Sequence, residues 1–142
     1  MVIRTKQQQR AEFALKKISS IKIDEKTANF YAGAPTMILT NGLGQTMAFL
    51  LSKKEKETNK ETNKESELFK ILKEWLTEDK NPLANLKNKE NIDFLQEFHK
   101  LSVTDYLKAQ TEALRILEWF KRYAKAFEER EDDKLEANNA NK

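Results

Sequence analysis

TANFYAGAPTMILTNGLGQTMAFLLS, residues 27–52, contains no Asp, Glu, Lys or Arg, although such residues make up 35% of this 142-residue chain. All three glycines, Gly33, Gly42 and Gly44, fall in it, together with Pro35, Met37 and Met47. A membrane span needs roughly 20 mostly apolar residues. Pro35, Asn41, Gly42, Gly44 and Gln45 interrupt the stretch too often for that, which leaves a helix buried in protein. Pro35 suits a first helical turn, where its missing N–H costs nothing. At about 100° per residue from Pro35, the side chains of Ile38, Leu39, Leu43, Met47, Phe49, Leu50 and Leu51 spread around most of the circumference, as in a helix enclosed by others. The expectation is a central helix packed on every side, in which Ile38, Leu43 and Phe49 hold the bundle together and Gly42 and Gly44 permit close helix packing.

Outward from this centre the chain reads as helices. Ala11, Ala14, Leu15, Ile18 and Ile21 form one stripe of an opening helix over Lys6 to Ser19. Asp24 is a candidate cap for a short second helix that ends near Ala32, with Gly33 as its stop. Residues 53–67, KKEKETNKETNKESE, hold five lysines, five glutamates, a tandem ETNK and no apolar side chain. They read as a flexible, solvated loop, or else as a charged helical extension supported by i,i+4 pairs. Leu68, Phe69, Leu72, Trp75 and Leu76 restore the helical period, which Asn81-Pro82 closes. Ile92, Leu95 and Phe98 mark a shorter helix. Ser102-Val-Thr-Asp105 fits a capping box at the head of the longest helix, whose apolar face is Leu107, Ala113, Leu114, Leu117, Phe120 and Ala124.

Alternating β patterns are missing, and three glycines with two prolines cannot punctuate a multi-strand sheet. The expected fold is all-α, a single-domain bundle of about five to six helices over residues 1–127, followed by a disordered acidic and Asn-rich tail over 128–142.

The same composition narrows the chemistry. Zero cysteines and a single histidine, His99, leave no thiolate ligands and nothing around which to build a zinc site or a catalytic triad. No nucleophile–base pair and no Gly-rich phosphate loop stands in the sequence, so no catalytic residue, metal or cofactor is expected. Arg4, Lys6 and Arg10 lead into glutamines rather than an apolar run, which argues against a signal peptide and for a cytoplasmic protein.

Function therefore has to be sought on surfaces. The net charge of +3 hides a gradient: residues 1–26 carry seven bases and three acids, residues 128–142 three bases and six acids. Lys6, Arg10 and Lys17 share a stripe of the opening helix, with Lys16 close by and Phe13 among them. Lys108, Arg115 and Arg122 recur every seven residues on the long helix and so share a face with about 20° of drift per heptad. EWFKRYAKAF, residues 118–127, interleaves aromatic and basic side chains in the manner of surfaces that bind phosphates and stack bases. Two readings stand beside each other here. Basic residues on outer helix faces are ordinarily solvated, and Glu112 and Glu118 are spaced to pair with Arg115 and Arg122; or the faces meet a polyanion.

Tyr31, AP at 34–35, MI at 37–38, NGLGQ at 41–45 and MAF at 47–49 resemble the signature of the small all-helical subunit of the type III-B CRISPR effector, the Cmr complex. TEAL at 111–114, Trp119, Lys121-Arg122 and Ala124, and the opening helix with Ala11 and Ala14, are similar too. The resemblance spans residues 4–52 and 68–127, with the charged repeat as a variable loop between the two halves.

The resemblance implies a non-catalytic, RNA-associated subunit that stacks head to tail in several copies along the guide and target RNA, while other subunits cut. Combined with the basic faces, it makes Arg10, Lys16, Lys17, Lys121, Arg122 and Lys125 the expected contacts to RNA phosphates, and other Cmr subunits, copies of the same chain and RNA the expected partners. The competing expectation is a helical adaptor that binds only other proteins, with Phe13 or Trp119 as its anchor.

Overall fold

The computed structural model describes residues 3–53 and 63–129. Five α-helices follow one another: α1, Lys6–Ser19; α2, Glu25–Ser52; α3, Lys64–Leu76; α4, Asn91–His99; and α5, Val103–Phe127, with a 3-10 turn Ala84–Leu86 before α4. Among the described residues there is no strand, only an isolated bridge between Asp24 and Glu129. The all-α expectation holds, and no helix of the described residues is long and apolar enough to cross a membrane. The expected tail lies outside the described residues from residue 130 onward.

The chain forms two compact units, whose borders fall between Ala34 and Pro35 inside α2 and between Arg115 and Ile116 inside α5. The first unit comprises α1, the start of α2 and the end of α5. Thr5 caps α1 through a complete capping box with Gln8. Asp24 accepts the Thr27 amide at 2.7 Å, the N-cap role its position predicts. Phe120 is the hub: Phe13 and Tyr31 meet its ring edge-on at 6.2 and 6.0 Å. Ala14, Ile18, Ile23, Ala28 and Ala124 fill the space around them.

The second unit comprises the rest of α2, then α3, α4 and the start of α5. Its core runs through Leu43, Met47, Leu68, Leu72, Phe94 and Phe98. An aromatic series, Phe69 to Phe94 to Phe98 to Tyr106, has centroid separations of 6.5, 6.3 and 5.2 Å. Trp75 and Glu112 are buried and bonded to each other, so this acid is not on the solvent face beside Arg115.

The uncharged stretch departs from expectation. Gly33 does not stop a helix and Pro35 does not start one; α2 passes through both, and its single non-helical residue is Gly42, at φ 83 and ψ 160. That conformation is essentially restricted to glycine. Burial is one-sided in each half: Tyr31, Ala34, Pro35 and Ile38 are buried before the break, and Leu43, Thr46, Met47 and Leu50 after it. Both sets follow the i, i+3, i+4, i+7 spacing of an amphipathic helix. The all-round pattern came from carrying one helical phase through a residue that resets it. Leu39 and Phe49 are 70% and 40% exposed, so Phe49 is not a core residue.

The break is held from α5. The amides of Leu43 and Gly44 donate to Gln110 Oε1 at 2.9 Å and Tyr106 Oη at 3.0 Å, which satisfies the amides that open the second half. A Cβ on Gly42 would lie 3.0 Å from that hydroxyl, and one on Gly44 3.3 Å from Phe98. Both glycines therefore serve close packing, and Gly42 also the turn.

Smaller departures concern helix ends and helix faces. Lys64–Glu67, expected in the loop, are helical, because Asn63 caps α3 by accepting the Ser66 amide at 2.7 Å. Helix α3 ends at Leu76, ahead of Asn81-Pro82, and the buried Asn81 amide group donates to the carbonyl of Trp75. Leu15, Ile92 and Leu107, expected on apolar faces, are 42%, 70% and 52% exposed. Arg10, Phe94 and Ala109 occupy the buried positions on those helices.

Candidate nucleic-acid interface

Helix α1 and residues 116–127 of α5 carry seven bases, Lys6, Arg10, Lys16, Lys17, Lys121, Arg122 and Lys125, and two acids, Glu12 and Glu118. Both segments belong to the first unit, whose described residues hold ten bases and six acids, against ten and ten in the second. Like charges gathered on one small unit raise the local potential for a polyanion. Glu12 is further offset by an ion pair with Arg4.

The six expected phosphate contacts separate into three groups. Lys16, Lys121 and Arg122 are exposed and Lys17 is half-buried, with its ammonium 5.6 Å from the centre of the Phe13 ring. Lys125 is exposed but engaged: it donates to Asn29 Oδ1 at 2.8 Å and pairs with Glu128 at 3.8 Å. Arg10 is 5% exposed, and its guanidinium donates to Gln7 Oε1 at 3.2 Å. Arg10 is thus a buried structural residue and not part of an exposed basic stripe, because its position on α1 lines up with Ala14 and Ile18 at the four-residue spacing of the packed face.

Nor do the surface residues of α5 share one strip. Lys121 and Lys125 are four residues apart and neighbours, whereas Arg122 lies about 100° around the helix from Lys121. Arg122 instead flanks Trp119, three residues before it. Trp119 donates its indole N–H to Gln7 Oε1 at 3.0 Å, so one glutamine oxygen ties α1 to α5 and receives Arg10 as well. Gln7 was not singled out by sequence reasoning; a glutamine in a QQQ run carries no signal until the facing helix is known. Tyr123 and Phe127, by contrast, follow Trp119 at four-residue spacing, which is legible in the chain itself.

Phe13, expected as an exposed anchor, is half-buried against Phe120. His99 is an exposed residue at the end of α4. Among the described residues no group of His, Cys, Asp and Glu side chains gathers as metal ligands do.

The family model described as CRISPR-associated protein (Cas_Cmr5) matches residues 6–127, from the first residue of α1 to the last of α5. The chain belongs to this family of CRISPR-associated type III-B Cmr subunits.

Proposed function

We propose that this Cmr subunit is a non-catalytic structural component of a cytoplasmic RNA-targeting complex, which contacts the guide and target RNA backbone through the basic faces of its first unit. The observation that carries the reading is the excess of six bases that reach the surface, Lys6, Lys16, Lys17, Lys121, Arg122 and Lys125, over two acids, Glu12 and Glu118, on α1 and residues 116–127. Lys16, Lys17, Lys121 and Arg122 are the phosphate contacts, Lys125 joins them where it leaves Asn29 and Glu128, and Arg10 supports the surface from beneath.

A subunit that meets three or four phosphates binds weakly alone, since non-specific affinities of this kind sit near about 10⁻⁴ to 10⁻⁶ M and fall steeply with salt. Stacking in several copies compensates by raising the effective concentration of each neighbouring site. Head-to-tail stacking is a heterologous contact and requires surfaces other than the RNA face. The exposed residues of α2 support such a contact: Leu39 stands beside Thr36 and Thr40 before the break, and Phe49 beside Gln45 and Ala48 after it, with the Lys53 ammonium 5.4 Å from the Phe49 ring. Large exposed apolar side chains flanked by uncharged polar ones suit a protein partner.

The test is fluorescence anisotropy of labelled single-stranded RNA at low and at moderate salt. The expected result is binding whose logarithm falls linearly with the logarithm of salt concentration. No binding at the highest protein concentration would favour the adaptor reading, in which the exposed residues of α2 are the working surface and the basic faces are solvated.

A further inference from the structure

Trp119, Tyr123 and Phe127 rise one turn apart along α5. Their ring centroids are 5.8 and 6.3 Å apart, and successive rings are inclined by 34° at both steps. They differ from the core aromatics of the same unit. Tyr31 and Phe120 are fully buried, whereas Trp119 and Tyr123 are half-buried and Phe127 is 55% exposed. Three aromatic rings in a row thus keep part of their surface in water, on the unit that carries the basic excess.

The first ring is positioned. The Trp119 N–H is bonded to Gln7 Oε1, and Arg10 donates to the same oxygen from a buried site. The polar edge of the indole is therefore anchored toward α1. Arg122 flanks the row, three residues after Trp119 and one before Tyr123, and is exposed. Among the described residues its guanidinium forms no ion pair. An arginine next to exposed rings is the pairing that a nucleotide needs, with a flat apolar base and a charged phosphate in reach of each other.

We propose that Trp119, Tyr123 and Phe127 form a stacking ladder for unpaired bases of single-stranded RNA, with Arg122 meeting the adjoining phosphate. This rests on the RNA-contact reading above and adds a second source of affinity to it, one that salt does not screen. At 5.8 and 6.3 Å the rings pack against one another and leave no gap for a base between them, so a base stacks on the part of a ring that stays in water, which an unpaired, splayed base reaches and a base inside a duplex does not. Stacking of this kind tolerates any sequence, since every base has a flat face.

The experiment uses the full chain with two oligonucleotides of equal length, oligouridine and an abasic strand with the same phosphates. Anisotropy of a dye on the oligonucleotide reads binding, and tryptophan fluorescence reads stacking; the second tryptophan, Trp75, is buried, so quenching by a ligand reports Trp119. The expected result is quenching by oligouridine alone, and affinity for it at least about five-fold above that for the abasic strand. Trp119→Leu with Tyr123→Leu removes that difference, while Trp119→Phe, which keeps a ring, retains most of it. Equal binding of both strands without quenching overturns the ladder and leaves phosphate contact standing. Binding of neither strand overturns both.

Discussion

The indole N–H of Trp75 on α3 donates to the carboxylate of Glu112 on α5 at 3.0 Å, with both side chains buried. A buried donor that loses its acceptor bears the full cost of desolvation. Glu112→Ala is therefore expected to lower stability by about 1–3 kcal/mol. In a double-mutant cycle, Trp75→Phe with Glu112→Ala costs less than the two single changes together, as interacting neighbours require. Urea unfolding measures all three.

Two glycines of α2 respond in opposite directions. Gly33 lies within the helix, and a Cβ there meets nothing within 4 Å, so Gly33→Ala is expected to stabilise by about 0.5–1 kcal/mol. Gly42 has positive φ, and a Cβ would lie 3.0 Å from the Tyr106 hydroxyl. Gly42→Ala is expected to destabilise by about 1–3 kcal/mol. Thermal unfolding of the pair distinguishes them, and an equal response would contradict the break at residue 42.

Lys73 on α3 reaches the head of α4. Its ammonium donates to the Lys89 carbonyl and to Asn91 Oδ1 at 2.9 Å, over the Phe94 ring at 5.5 Å. Burial lowers its pKa below the ordinary 10.5, with Glu90 opposing in part. Between the lowered value and 10.5 the unfolded chain binds more protons than the folded one, so the contribution of Lys73 to stability rises with pH through that window. The stability difference between the natural chain and Lys73→Met is expected to shift in favour of the natural chain as pH rises toward 10.5.

Charge reversal separates surface bases from the buried one. Lys16→Glu, Lys17→Glu, Lys121→Glu and Arg122→Glu are expected to weaken RNA binding with little effect on unfolding, each lost contact reducing the salt slope by about 0.7 on a single strand. Arg10→Ala acts the other way round, lowering stability by about 1–2 kcal/mol through the loss of a buried charged hydrogen bond. Unfolding and anisotropy measured on the same samples give both readouts.

Much of the helical layout was legible because period and caps are local. Lys6 and Ser19 bound α1 as its pattern predicts, Asp24 caps α2, Ser102 accepts the Asp105 amide at 3.1 Å at the head of α5, and Leu68 to Leu76 pack as read. The candidate site was legible in composition more than in residue choice. EWFKRYAKAF announced aromatic and basic side chains together, but whether a given base lies on the inner or outer side depends on which helix it faces. Arg10 shows the failure: a charged residue on an apparently basic stripe, drawn inward by the alignment with Ala14 and Ile18 and by Gln7.

By itself the sequence determined that the chain is helical, that basic side chains recur along α1 and the end of α5, and that residues 27–52 are unlike the rest. Periodicity, capping and residue type act over one or two turns, and they suffice for those conclusions. Tertiary structure alone decided where the uncharged stretch breaks and which of its apolar residues remain outside. The φ of Gly42 answers to Tyr106 and Gln110, more than 60 residues away, and no local rule carries that distance. The same long-range bonding set Trp119 on Gln7 and Lys125 on Asn29, and so divided the basic residues into those that support the surface and those that present it.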